Sequence, residues 1–175
     1  RYYLAAAQLR ERVQGRLSDV QPPIQGDWPR ILREVVRDAP QRLPSGEPLI
    51  PSADQVAALA LALSRQFVVI SGGPGTGKTS TVCALLRCLV RAGVRADDIA
   101  LAAPSGRAAQ RMTEALHAGI GSIDTPSEGD RSLLSAAGST LHRLLGYNPR
   151  TGGFWRGPDD PIEGRVVVID EVSMV

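Results

Sequence analysis

The chain predicts an α/β domain, a parallel sheet flanked by helices with a short helical segment in front of it. Three stretches carry this expectation. FVVISGGPGTGKT over 67–79 takes an apolar, β-prone run into a glycine-rich turn that ends in Lys-Thr. IALAAPSGR over 99–107 passes from a short apolar run through a turn into a second helical pattern, and RVVVID over 165–170 is an apolar run ending in an acid. Strand, turn and helix alternating in this way describe parallel strands joined by helical crossovers.

The first stretch also declares chemistry. Gly72, Gly77, Lys78 and Thr79 fit G-x-x-x-x-G-K-[ST], with Gly73, Pro74, Gly75 and Thr76 between them and Ser80 following. Glycines let consecutive N–H groups curl around a phosphate, and the helix starting near Lys78 adds the positive end of its dipole. Lys78 is then placed to reach the β- and γ-phosphates of a nucleoside triphosphate, and the Thr79 hydroxyl to take one position on Mg²⁺. The plain alternative is a glycine-rich strand-to-helix turn, but with glycine at roughly 7% of residues the full pattern rarely arises by chance. Composition argues the same way. Lys78 is the only lysine among 20 basic residues, the other 19 being arginine. A compact ammonium is kept where a planar guanidinium would not fit between phosphates.

At 175 residues, 43% hydrophobic and 22% charged, the chain is long enough for a real core and reads as one compact domain with appended structure. No apolar run approaches the roughly 20 residues that span a bilayer, and no signal-peptide pattern opens the chain, so the expected compartment is cytoplasmic, with no membrane partner. The net charge of +2 and a pI near 8.8 permit a nucleic-acid partner without demanding one. Cys83 and Cys88 sit on different faces of a predicted helix, which suits neither a metal pair nor a mutual disulfide.

In order along the chain, Leu9, Val13 and Leu17 mark an amphipathic helix over 1–17, and 18–27 reads as a loop. Ile31, Leu32, Val35 and Val36 mark a second helix over 28–39. Residues 40–51 hold four prolines and Gly46 and read as a linker. The expected organisation is therefore a helical connector and linker over 1–51 and the α/β domain over 52–175. Ser52-x-x-Gln55 has the form of a capping box opening a helix to about Arg65. Alternatively, the Gln55 amide, just upstream of the phosphate loop, pairs with the N6 and N7 edge of adenine.

Helices are expected over 78–91, ended by Gly93, and over about 107–117 after the turn at Pro104-Ser105-Gly106. That second helix start, with Arg107 and Arg111 nearby, is either a plain capped helix or a seat for a nucleic-acid phosphate. Residues 119–138 read as a polar, glycine-rich loop, 139–146 as a short capped helix, and 147–164 as another loop. Phe154 and Trp155 in that loop either stack on a base or pin the loop to the core. His117 and His142 have no ligand partner at metal spacing. The four aliphatics before Asp170 predict a central strand buried on both faces, delivering Asp170 to the metal side of a nucleotide and Glu171 to the attacking water.

Taken together, GGPGTGKT, LAAPSGRAAQRM, STLHRLLG and DEVSM resemble the RecD family of superfamily-one DNA helicases, the alpha chains of exodeoxyribonuclease V. The resemblance implies a RecA-like P-loop NTPase fold and an ATP-driven 5′-to-3′ translocase on single-stranded DNA. It would act with partner subunits of a RecBCD-type nuclease-helicase on DNA ends in double-strand break repair and recombination. It assigns Lys78 and Thr79 to phosphate and Mg²⁺, Asp170 to the metal, Glu171 to water and Gln55 to adenine. Ser105, Gly106 and Arg107 fall in one DNA-contacting segment, with Thr140 and His142 near a second. Ser105 and Arg107 stand where family members often have Thr and Lys. A stand-alone RecD-like helicase shares these motifs, and a P-loop ATPase that remodels protein shares the nucleotide residues. The family's second motor domain, with its arginine finger, is not in this sequence, so the chain is expected to be the first motor domain, weak in ATP binding and turnover by itself.

Overall fold

The computed structural model describes residues 2–18, 26–73, 75–157 and 159–172. Pro74 of the phosphate loop, Ser173 and Met174 of DEVSM, and most of the loop expected at 18–27 lie outside them. Within the described residues, helices α1 (Tyr2–Ser18), α2 (Trp28–Arg33), α3 (Ala53–Ser64) and α4 (Lys78–Arg91) precede strand β1 (Ile99–Ala103). Then come α5 (Gly106–Gly121), α6 (Glu128–Ser132), β2 (Gly138–Thr140), α7 (Leu141–Leu144), the hairpin strands β3 (Tyr147–Asn148) and β4 (Gly153–Phe154), and β5 (Val166–Ile169).

β1 is the centre of a parallel sheet ordered β2-β1-β5, with Leu101 opposite Gly138 and Ile99 opposite Val166. Its alanines explain the tight fit. Ala102 and Ala103 are fully buried, and a Cβ at Gly138 would lie 2.5 Å from the Ala109 carbonyl oxygen, so α5 packs onto β1 and β2 only because these side chains are small or absent. Helix α4 is buried nearly all round through Cys83–Leu89, where every residue but Arg87 is apolar. Leu59 and Leu63 from α3 join it in the core, each worth about 1.5–3 kcal/mol of transfer free energy.

Cys83 and Cys88 are both free and buried, and burial pushes each thiol up to about 12 against the opposing charge of Arg87. The thiolate is the reactive species, so neither cysteine should react with iodoacetamide at pH 8 until the protein unfolds. Labelling faster than global unfolding would contradict this packing.

Several sequence expectations change. Residues 67–70 form no strand, and Phe67 and Val69 are exposed. β-propensity is realised only through cross-strand partners, and this run has none in the described sheet. Among the described residues β5 therefore has one neighbour, β1, and stands at the edge of this sheet rather than at its centre. Val166 and Val168 pack on the core while Val167 and Ile169 are 41% and 42% exposed. The helix expected to end near His117 runs on to Gly121. The loop expected at 119–138 contains α6, a 3₁₀ turn over Leu133–Ser135 and the start of β2. The capped helix expected at 139–146 shortens to α7, because Ser139 and Thr140 are spent in β2. The loop at 147–164 holds the β3–β4 hairpin, whose Phe154 packs with Tyr147 and His142 rather than on the core. α1 is helical as expected, yet Leu9 and Leu17 are exposed.

The segment 28–41 is held to α4 by more than apolar contact. Ile31, Leu32 and Val35 share the core with α3 and α4. Arg87 of α4, fully buried, donates to the carbonyls of Ala39 at 2.8 Å and Val35 at 3.4 Å, capping the end of a π-helical turn over Glu34–Asp38. Its Nε donates to Asp130 Oδ1 at 3.0 Å, and Arg91 Nη2 donates to Asp130 Oδ2 at 2.7 Å. Asp130 in turn forms a reciprocal capping box with Ser127 at the start of α6. One carboxylate thus pairs with two guanidinium groups, Arg87 fully buried and Arg91 partly exposed, and ties together three parts of the chain.

Candidate functional site

The described residues of the glycine-rich loop curl as its glycines allow, although the run before it forms no strand. Gly75 and Gly77 adopt φ of 74° and 77°, the left-handed region, and Gly77 caps α4. A Cβ at Gly77 would also collide with the Gln55 amide nitrogen. The N–H groups of Gly75, Thr76, Gly77, Lys78 and Thr79 take no hydrogen bond among the described residues, leaving a row of donors at a helix start. The Ser80 and Thr81 hydroxyls are turned back onto the Gly77 carbonyl at 2.8 and 2.9 Å. Lys78 Nζ donates to the carbonyls of Gly72 at 2.6 Å and Gly73 at 2.8 Å. The ammonium is therefore held over the loop by groups that a phosphate oxygen, carrying full charge, would outbid.

Gln55 fulfils its capping role and does something further. Its Oε1 accepts from Ser52 N–H at 2.8 Å, and its Nε2 donates to the Thr76 carbonyl at 2.9 Å, clasping α3 to the phosphate loop. An amide has a second lone pair and a second N–H, so one acceptor and one donor remain for a purine edge while both structural bonds persist.

Thr79 is exposed, and its hydroxyl has no partner among the described residues. Asp170, just past β5, is also exposed. Its N–H donates to the Ala102 carbonyl at 3.0 Å, and its Oδ1 accepts from Glu171 N–H at 2.9 Å. Glu171 has φ of 53°, a left-handed conformation that is uncommon for a residue with a side chain. The Thr79 hydroxyl and the second carboxylate oxygen of Asp170, both exposed and without a partner among the described residues, are hard oxygen donors of the kind that suits Mg²⁺, which takes few protein ligands and keeps water and phosphate oxygens. Among the described residues no three His, Cys, Asp or Glu gather as a metal-binding group. No hydrogen bond or ion pair among them joins Asp170 or Glu171 to residues 72–80. The loop and Gln55 form one constellation, and the acidic pair stands as another at the carboxyl edge of the sheet.

The residues expected to meet nucleic acid do come together in part. Gly106 and Thr140 line one groove of about 340 Å³ between α5, β2 and α7, along with Gln110, Thr113, Glu114 and Arg143. Ser105 caps α5 by accepting from Ala108 N–H at 3.1 Å, and Thr140 caps α7 by accepting from Arg143 N–H at 3.2 Å. Arg107 is exposed beside this groove's helix start. His142 lies instead in an aromatic cluster, edge-on to Tyr147 at 5.0 Å between ring centroids and 6.1 Å from Phe154. Gln110 and Thr113 were not anticipated, though with Gly106 they recur at helical spacing and so share a face.

No described helix is long and apolar enough to cross a membrane. The family model of the AAA domain matches residues 55–175. Over 127 residues, 70% of this chain, the sequence is 43% identical to the RecBCD enzyme subunit RecD of Mycolicibacterium smegmatis, of which it covers 23%. It is 40% identical to the RecBCD enzyme subunit RecD of Mycobacterium tuberculosis over 144 residues, 77% of this chain and 24% of that one. The ATP-dependent RecD2 DNA helicase of Deinococcus radiodurans is 32% identical over 124 residues, 71% of this chain and 14% of that one. The chain thus spans about a quarter or less of the length of the curated relatives it matches.

Proposed function

The chain belongs to the AAA domain family, and from that membership and its RecD relatives we propose that it is the nucleotide-binding motor segment of a RecD-type, ATP-dependent DNA helicase. The observation that supports this best is the clasp of Gln55 on a glycine-rich loop whose N–H groups from Gly75 to Thr79 make no hydrogen bond among the described residues, the two features this reading assigns to the two ends of ATP. In this reading the loop N–H groups and Lys78 hold the β- and γ-phosphates and the spare amide groups of Gln55 take the adenine edge. Thr79 and Asp170 are the residues that would hold Mg²⁺, which when bound withdraws charge from the phosphate oxygens. Glu171 orients a water and receives its proton. Work on single-stranded DNA, in the 5′-to-3′ sense and within a RecBCD-type complex at duplex ends in the cytoplasm, belongs to the same proposal. The groove between α5 and α7, with Ser105, Gly106, Arg107, Thr140 and nearby His142, is its DNA track. A boundary between a helical connector and the motor near residue 51 is also retained as part of this reading.

ATP hydrolysis by the full-length protein, measured with and without single-stranded DNA, tests this. A translocase couples turnover to the strand, so stimulation is expected. Turnover that ignores DNA but responds to a protein substrate would favour a remodelling ATPase instead. Unwinding by the purified protein without other subunits would favour the stand-alone helicase.

A further inference from the structure

The ion-paired cluster around Arg87 lies outside the phosphate machinery, yet it reaches the same cleft as Gln55. That cleft is lined by Gln55, by Ser80 at the start of α4, by Val36, Pro40 and Gln41, and by Arg87. Its free room is only about 20 Å³, enough for about one water, so a planar base does not fit inside it, and a base held by Gln55 would lie against its lining. How well the base fits is then decided by where the 36–41 wall stands. Arg87 holds the first part of that wall through the Val35 and Ala39 carbonyls, and Asp130 fixes Arg87.

We propose that Arg87 is a positioning residue for the nucleotide's base, holding the 35–41 wall against the cleft beside Gln55 so that the site selects adenosine triphosphate over triphosphate alone. This rests on the adenine role of Gln55 given above. Lys78 and the loop N–H groups grip phosphates without help from the wall, so the two ends of the ligand separate cleanly. A lysine at 87 keeps the charge but, as a point donor, cannot span two carbonyls and a carboxylate at once.

The test measures affinities for ATP, GTP and inorganic tripolyphosphate by displacement of a fluorescent nucleotide from the full-length protein. Arg87→Lys should weaken ATP roughly 10-fold, the size of one lost well-packed contact, narrow its margin over GTP and leave tripolyphosphate unchanged. Should Arg87→Lys fail to fold, Val36→Ala on the wall itself is expected to show the same selective loss. Equal losses for ATP and tripolyphosphate, or no change for either, would overturn the proposal. Gln55→Ala distinguishes the two layers. If it too leaves the ATP-to-tripolyphosphate ratio unchanged, the adenine reading has failed. If it alone collapses that ratio while Arg87→Lys and Val36→Ala do not, only the role of Arg87 is wrong.

Discussion

Lys78→Ala in the full-length protein is expected to lower ATP turnover by on the order of 10²–10³ or more, the usual cost of removing one preorganised group that meets developing charge. The loop contains no other cation, so nothing nearby can substitute. Lys78→Arg should fail nearly as badly. The native ammonium donates to two carbonyls of its own loop within 2.6–2.8 Å, a space that a longer, planar head does not share. Glu171→Gln is expected to behave differently, keeping nucleotide affinity while turnover falls by roughly 10²–10⁴, since the amide keeps the shape of the carboxylate but takes no proton. Asp170→Asn should instead raise the Mg²⁺ concentration needed for half-maximal binding. Steady-state turnover and equilibrium binding, measured side by side, check all three. Loss of binding in Glu171→Gln equal to that in Asp170→Asn would remove the division of labour between the two acids.

What could be read from sequence divides along physical lines. The phosphate loop, the caps at Ser52 and Ser105 and the extent of α4 were legible because each is settled within a few residues. Glycine at a left-handed position, a side-chain oxygen two or three residues before its N–H, and an apolar stripe at helical spacing are local decisions. β5 was recognised as a strand but misplaced, because burial on both faces depends on who sits beside it. Residues 67–70 had the composition of that neighbour and do not take the role. β2 was hidden for a related reason. Gly138, Ser139 and Thr140 have no strand-like composition, and they pair with β1 because a glycine is what fits beneath the Ala109 carbonyl. The residues proposed for the site divide in the same way: Lys78, Thr79 and Gln55 are singled out by spacing alone, whereas Gln110 and Thr113 enter the groove only once α5 has been laid on the sheet.

Asp130 is the clearest case of information absent from local sequence, and it carries the largest expected effect on stability. In sequence it sits in a polar, glycine-containing stretch that reads as solvated. In the fold it is fully buried between Arg87 and Arg91. Burial pushes its carboxyl up, but hydrogen bonds from Arg87 and Ser127 and the charge of Arg87 outweigh that and hold it below the ordinary carboxylate range. Asp130→Asn should cost about 3–5 kcal/mol, because it leaves the buried Arg87 guanidinium and the partly exposed one of Arg91 with no counter-charge. That is a large share of the 5–15 kcal/mol typical of a domain. The pH dependence follows from the direction of the shift. A carboxyl whose folded pKa is depressed contributes its full stability above the unfolded value of about 3.9 and loses it as pH falls through the folded value. The gap between wild type and Asp130→Asn in urea unfolding should therefore be constant from neutrality down to about pH 4 and close below it. Replacing the whole cluster, Arg87→Met with Asp130→Leu and Arg91→Met, should recover much of the loss, since apolar side chains of similar volume often match a buried ion pair. Recovery should stop short by about 1–3 kcal/mol, because the Val35 and Ala39 carbonyls would then be buried with no donor. A triple variant as stable as wild type would mean that those carbonyls find water or another partner, and that Arg87 is not needed to cap the 28–38 helix.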